Sequence, residues 1–446
     1  MSVCLGQIQI VGFIALQVCQ SFFDAFVLMF YSHTVQMMVF PLYLTFHGGS
    51  SMRIHGSGCC LIDSIYRDCS YESEAFSVLW SKERGDGGLI EGGLVFTEDL
   101  EEFAGKSHHQ IINTLSGGRQ ADGKNLGGPA VVALVHAAQI LAAGNVEVSF
   151  YGAVGNDADA DLVRSTIKKT PLNAVLKSVE WMSTPTTEVF DDPSKRNGKG
   201  ERSFINTIGA AHSYSSADLP PSFYDADIIL LGGTALVPAL HDEMHLVLKK
   251  AKEAHCVTVV GTVYDFRNEK ENPSGRWPLG ALPSYPFIDM LVCDEQEALR
   301  LTGTHLVEKA ALELMKFGVG SFIITRGALP MLVWSRGMLI EKTMLKFFPV
   351  SAYMDELMEK DPSLRKDTTG CGDNFLGGVL VSIAQQLGKL KPLSMVDICA
   401  WGAASGGFAC TYHGGTYVEK EHGEKLRHLL PVVQAYLETV KSEERM

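Results

Sequence analysis

Basic residues are scarce in this chain and missing altogether from residues 1–51. Lys and Arg number 38 against 51 Asp and Glu, a formal net charge of -13. A nucleic-acid-binding surface needs a basic patch, so that class is set aside, and any anion is handled in a local pocket. The ten cysteines are scattered, with no Cys-x-x-Cys pair and no Cys/His cluster of metal-ligand spacing, which argues against zinc. Vicinal Cys59-Cys60 falls in an apolar run and reads as small core packing. Reduced, cytoplasmic surroundings are the simpler expectation. No Gly-x-x-x-x-Gly-Lys-[Ser/Thr] occurs, so a P-loop is excluded. Gly56-Ser57-Gly58 follows a strand-like run, but Leu61 stands where a third glycine would be needed. Asp63 also comes far too early to reach a ribose, so the dinucleotide fingerprint fails. No internal repeat is visible.

Residues 1–51 carry one acid, Asp24, among many Phe, Met, Val and Leu. A secretory signal would begin with positive charge. The run Ala25–Phe46 is long enough to span a bilayer. It is interrupted by Ser32, His33, Gln36 and Pro41 and has no basic flank to orient it. The expectation is an over-extended translation start, with Met52 as the natural beginning and a membrane anchor as the alternative.

From Met52 to residue 446, short apolar runs alternate with amphipathic stretches. Strands are expected at Val146–Val154, Ile228–Leu231, Val257–Val263, Met290–Cys293 and Ser321–Thr325. Helices are expected at Ala130–Ala143, Asp157–Lys168, His241–His255, Glu295–Leu301 and Val307–Phe317. That rhythm predicts an α/β fold with a mostly parallel, doubly wound sheet flanked by helices. Two stretches break it. Residues 67–125 mix charged and Gly-rich segments without a strong helical period, and residues 350–366 read as a helix and a loop. Neither has the look of a separate folding unit.

The densest signal is Asp367-Thr368-Thr369-Gly370-Cys371-Gly372-Asp373-Asn374-Phe375-Leu376-Gly377-Gly378. The closing glycine pair leads into Val379–Ala384, which reads as a helix. Unhindered backbone N–H groups of Gly370, Cys371 and Gly372 would then face an anion at a helix N-terminus. Asp373 falls in the first turn beside it. Charge stabilisation and a proton acceptor at one point are what transfer of a phosphoryl group to a hydroxyl requires. Capping explains Asp373 alone, but not the glycines on both sides.

This stretch resembles the second signature of the pfkB (ribokinase-like) carbohydrate kinases, Asp-Thr-x-Gly-Ala-Gly-Asp-x-Phe-x-x-Gly. Every fixed position is met except Ala, which is Cys371. The resemblance runs from Met52 to about Val418 and implies a ribokinase-like sheet with a small β-rich lid, enlarged here around residues 67–125. It makes Asp373 the general base and implies that Asp63, Gly127 and Gly128 bind the acceptor. The family's Asn in the helix after Gly127-Gly128 is Val132 in this chain, which leaves the substrate class open. Asp294 and Glu297 match the Asn-x-x-Glu that organises Mg²⁺ through water, with Asp in place of Asn. An acidic first turn also suits a helix dipole. Thr325 and Gly327 match the Thr-x-Gly that holds nucleotide phosphates, and Ala403 and Gly406 match the adenine side. Arg202 is set aside as a solvated hairpin residue. ATP and Mg²⁺ are the implied cofactors, and the family leaves room for a monovalent cation. The expected activity is transfer of the γ-phosphoryl group of ATP to a hydroxyl of a sugar or sugar-like substrate. An adenosine-like nucleoside kinase and a weakened sugar-binding regulator are the alternatives. The partners expected are small molecules, with neither nucleic acid nor membrane, and a homodimer through the lid is an open possibility.

Overall fold

Short runs rich in Val, Ile and Leu build the larger of two sheets. In the computed structural model, which describes residues 51–83, 85–195, 200–389 and 392–443, this sheet uses nine strands. They are β1 (Met52–Gly58), β5 (Val146–Val154), β6 (Asn173–Ser178), β9 (Ile228–Gly232), β10 (Val257–Gly261), β11 (Met290–Asp294), β12 (Ser321–Arg326), β13 (Leu329–Ser335) and β14 (Thr343–Phe348). Their order is β14-β13-β12-β11-β10-β9-β1-β5-β6. Every pair is parallel except β12–β13 and β13–β14. The central strands β9 and β10 are buried along their whole length, as a sheet covered by helices on both faces demands. The described residues fall within one unit, residues 48–446. The extension expected before Met52 lies outside the described residues, apart from Ser51. Among the described residues no helix is long and apolar enough to cross a membrane.

One face is filled by three helices, Pro129–Leu141, Cys371–Gln386 and Met395–Ala409, whose residues dominate a continuous apolar core. Pro129 opens the first of them at a position where a missing N–H costs nothing. The expected strands and helices match to within a few residues. The His241–His255 helix is the exception, divided into Pro238–Asp242 and Met244–Glu253.

The second sheet is the lid. Its strands are β2 (Leu61–Tyr66), β3 (Leu94–Phe96), β4 (Gly123–Gly127), β7 (Thr186–Asp192) and β8 (Glu201–Thr207), in the order β3-β8-β7-β2-β4. The insertion at residues 67–125 is more helical than its sequence suggests. It contributes Glu74–Ser77, Thr97–Ala104 and His108–Ser116, each too short for a strong period. Phe76, Leu79, Leu100, Ile111 and Leu115 from this insertion pack on Tyr66, Phe190 and Ile205 of the lid strands. Successive strand residues alternate faces, so Asp63 stands on the face opposite Tyr66. The lid face away from Asp63 is covered by the chain's own helices.

Candidate active site

Gly370 caps the Cys371–Gln386 helix in the left-handed conformation, φ 74° and ψ 8°. A Cβ there would overlap Gly415 Cα, so both the turn and the close approach require glycine. Because the helix begins at Cys371, Gly377 and Gly378 lie inside it, which corrects the expectation of a glycine pair leading into a helix. Their role is contact between helices. A Cβ on Gly377 would come within 2.8 Å of the Ala133 carbonyl, and one on Gly378 would overlap the Trp401 carbonyl. Gly372 is exposed, and a Cβ on it would meet open space. The Cys371 N–H, by contrast, donates to the Thr368 carbonyl at 3.3 Å, so one of the three expected cradle amides is already engaged. Cys371 Sγ lies 3.4 Å from Cys410 Sγ, and both thiols are free.

Asp373 follows in the first helical turn, part-buried. Desolvation pushes its carboxyl up to about 7. Asp63 on β2 is buried (8% exposed), and its carboxyl is pushed up to about 8, first by desolvation and then by repulsion from Asp373 and Asp367. Both carboxyls are thus held near neutrality, Asp63 in part by the Asp373 charge. Gly127 and Gly128 belong to the same place. A Cβ on Gly127 would overlap Asp63 Oδ2, and Gly128, at φ 105°, packs against the Cys59 carbonyl.

Strand register sets Asn125, Asp63, Thr187 and Asn206 in one row across β4, β2, β7 and β8. Asn206 donates to Thr187 Oγ1 at 2.9 Å, but its buried Oδ1 has no partner. The Asp63 carboxyl accepts no hydrogen bond among the described residues. Asn125 Oδ1 and Thr187 Oγ1 are engaged, so the row's unpartnered acceptors are the Asp63 carboxyl and the buried Asn206 Oδ1. Asn206 carries no local sequence signal.

Arg202, set aside on sequence grounds, reaches from β8 to the signature. Its guanidinium pairs with Asp367 and donates to Thr369 Oγ1. The Asp367 carboxylate also accepts from the N–H groups of Thr369 (2.8 Å) and Gly414 (3.0 Å). Burial works against its charge, yet Arg202 and these N–H donors hold its pKa below the usual range.

Asp294 and Glu297 form a capping box at the start of the Glu295–Thr302 helix. Glu297 N–H donates to Asp294 Oδ1 at 2.7 Å, and Asp294 N–H donates to Glu297 Oε2 at 2.9 Å. Thr262 adds a 2.6 Å bond to the same Oε2. Burial and then Asp294 push Glu297 up to about 8, with a smaller contribution from Asp373. Thr325 pairs with Asp294 across β11 and β12. Gly327, at φ 61°, is half of the two-residue turn joining Arg326 to Leu329, so hairpin geometry accounts for it. Ala403 is buried, and a Cβ on Gly406 would come within 3.1 Å of the Cys371 carbonyl. Gly406 thus packs against the signature helix.

The family model of the pfkB carbohydrate kinases matches residues 119–421. No curated protein matches the chain. Among solved structures it is similar to an adenosine kinase from Schistosoma mansoni in complex with 2-fluoroadenosine (16% identity, TM-score 0.62, 83% of this chain and 98% of that one). An adenosine kinase from Anopheles gambiae in complex with P1,P4-di(adenosine-5) tetraphosphate is also similar (19%, 0.59, 81% and 96%). So is a ribokinase from Thermotoga maritima (18%, 0.54, 87% and 99%). At these identities the likeness establishes the fold, which is ribokinase-like. Since the family model spans more than half of the chain and takes in the whole signature helix with Asp373, the chain belongs to the pfkB family of carbohydrate kinases.

Proposed function

We propose that this chain transfers the γ-phosphoryl group of ATP to a hydroxyl of a sugar or a nucleoside. One observation carries the reading. Asp373 stands in the first turn of a helix whose N-terminus is open at Gly372, and Asp63 offers it a buried neighbouring carboxyl that accepts no hydrogen bond among the described residues. Asp373, with its pKa near neutrality, is matched to accept the proton of the attacking hydroxyl. Asp63 and Asn206 Oδ1 accept from the acceptor's other hydroxyls and orient it. The cradle N–H groups stabilise charge on the transferring group, each worth about 3 kcal/mol if it acts as an oxyanion-hole donor. Arg202 ties the lid strand that carries part of the acceptor row to the loop that carries the cradle.

Mg²⁺ fits the residues present. Among the described residues no group of three or more His, Cys, Asp and Glu could cage a metal. Mg²⁺, however, keeps several waters and needs only one or two carboxylates beside nucleotide phosphates. Glu297 Oε1 stays outside the capping box, so Glu297 and Asp294 would hold the ion through water, and the ion would offset negative charge on the nucleotide phosphates. Thr325 and Gly327 fit the nucleotide's phosphate side, and Ala403 and Gly406 its base side.

The acceptor class follows from a phosphorylation screen. The full chain is incubated with ATP and Mg²⁺ and panels of free sugars and nucleosides, with ADP release and phosphorylated product read together. Product from one panel is expected. The adenosine kinases and the ribokinase among similar structures make both panels necessary. Acceptor binding without turnover would favour the weakened regulator and overturn the assignment.

A further inference from the structure

One buried charge behind the signature takes no part in the reaction described. Lys425, the second residue of the Glu424–Glu443 helix, is 1% exposed. No carboxylate among the described residues pairs with its ammonium. Glu419 accepts from the Lys425 backbone N–H instead, at 2.8 Å. A cation at the N-terminus of its own helix also opposes the helix dipole. Burial pushes the ammonium down to about 7, with Glu419 acting weakly the other way. Against the cost of burying this lysine stand two side-chain hydrogen bonds and the Tyr412 and Tyr417 rings, 6.0 and 5.8 Å from Nζ.

Its hydrogen bonds lead to the cradle. Lys425 Nζ donates to Asn374 Oδ1 at 3.1 Å and to Gln139 Oε1 at 3.2 Å. Tyr412 Oη donates to the same Asn374 oxygen at 3.1 Å, and His136 Nδ1 lies 2.9 Å from it. Burial, and then the Lys425 charge, keep His136 neutral, so its Nδ1–H is the donor. On its other side Asn374 Nδ2 donates to the carbonyls of Gly370 and Gly415, both at 2.9 Å. These are the two glycines that pack against each other at the helix cap. An ammonium can only donate. It therefore fixes the Asn374 oxygen towards itself and the amide towards both carbonyls.

We propose that Lys425 is a positioning residue for phosphoryl transfer: through Asn374 it holds the Gly370 cap in register, and its charge reinforces the positive end of the Cys371–Gln386 helix. The inference rests on the phosphotransfer reading above.

The test uses the full chain with Lys425→Met. Replacing a buried charge with an apolar side chain of similar length tends to stabilise, so Tm is expected to stay or rise. At the same time kcat should fall at least tenfold, with the acceptor KM within twofold, because the lid row is untouched. In an Asn374→Ala background the same change should cost less than a further twofold, since the two act as a unit. Unchanged kcat, losses that multiply, or a lowered Tm with activity falling in step would each overturn the inference. A second arm needs no acceptor and measures the rise in Tm on adding inorganic phosphate, expected to be at least halved in Lys425→Met. A wild-type chain without that rise, or a variant that keeps all of it, refutes the role of Lys425. A wild-type chain that phosphorylates no acceptor refutes only the function.

Discussion

Replacing Asp373 with Asn changes the charge and basicity of one side chain at nearly constant volume. Asp373 is in the first helical turn beside the exposed Gly372, so the substitution leaves the cradle amides in place. A positioned general base is worth about 10²–10⁴ in rate, or about 2.7–5.4 kcal/mol at 1.36 kcal/mol per factor of ten. The pH profile adds a sharper signature. With the carboxyl pushed up to about 7 by desolvation, about one molecule in ten is ionised at pH 6 and about nine in ten at pH 8. Ionisation of Asp373 alone should therefore lift kcat/KM, which reports the free enzyme, about tenfold over that span. Asp63, pushed up to about 8, makes the limb steeper than one proton. Asp373→Asn should lose at least about a hundredfold in kcat and keep only the Asp63 part of the limb, while acceptor and ATP still bind by calorimetry. Turnover within threefold of wild type, or an unchanged limb, would refute the reasoning.

Glu297→Gln should raise the Mg²⁺ concentration for half-maximal activity more than it changes acceptor affinity, and an unmoved Mg²⁺ titration would place the metal elsewhere. Gly127→Ala should raise the acceptor KM about tenfold with the ATP KM nearly constant, since its Cβ would displace the Asp63 carboxyl; equal effects on both constants would contradict this. Arg202→Met should cost about 2 kcal/mol in urea unfolding, between the worth of an exposed and a buried pair, because the two side chains are 22% and 9% exposed. Arg202→Lys should not restore it, as a single ammonium lacks the fork that meets both Asp367 and Thr369. For Asp63→Asn the sign follows from its raised pKa: as pH rises from about 4 to about 8 the unfolded chain gives up a proton that the folded chain retains. Wild-type stability is lost over that window, so the Tm of Asp63→Asn should gain on wild type steadily across it, and a constant difference would show that Asp63 is not desolvated.

Much of the fold was legible because local pattern reports local structure. The apolar run Val146–Val154 and the amphipathic run Val307–Phe317 became elements with those same ends. Asp373 was placed correctly in a first turn. The glycine pair 377–378 misled because a glycine opposing a neighbouring backbone looks the same in sequence as one in a turn. Arg202 reads in sequence as a solvated hairpin residue because its partners, Asp367 and Thr369, lie far along the chain. The same holds for Asn374 and Lys425, separated by 51 positions. The lid helices Thr97–Ala104 and His108–Ser116 have eight and nine residues, about two turns each, too few for periodicity to rise above noise.

The join between the two sheets has a mechanical consequence. Only Cys59 and Cys60 separate β1, an interior strand of the large sheet, from β2, which carries Asp63. The other strand leaving at this point, β4, ends opposite Leu61 at Gly127. Gly58, Gly127 and Gly128 thus gather at one pivot, where close neighbours leave no room for a Cβ. Asp63 sits about 10 Å along the lever arm and Tyr66 about 20 Å, at roughly 3.3 Å per strand residue. A swing of about 10° would then carry the far end of the strand by about 3.5 Å but Asp63 by under about 2 Å. Any tilt about this pivot would thus move the rim of the lid about twice as far as the carboxyl proposed to meet the acceptor.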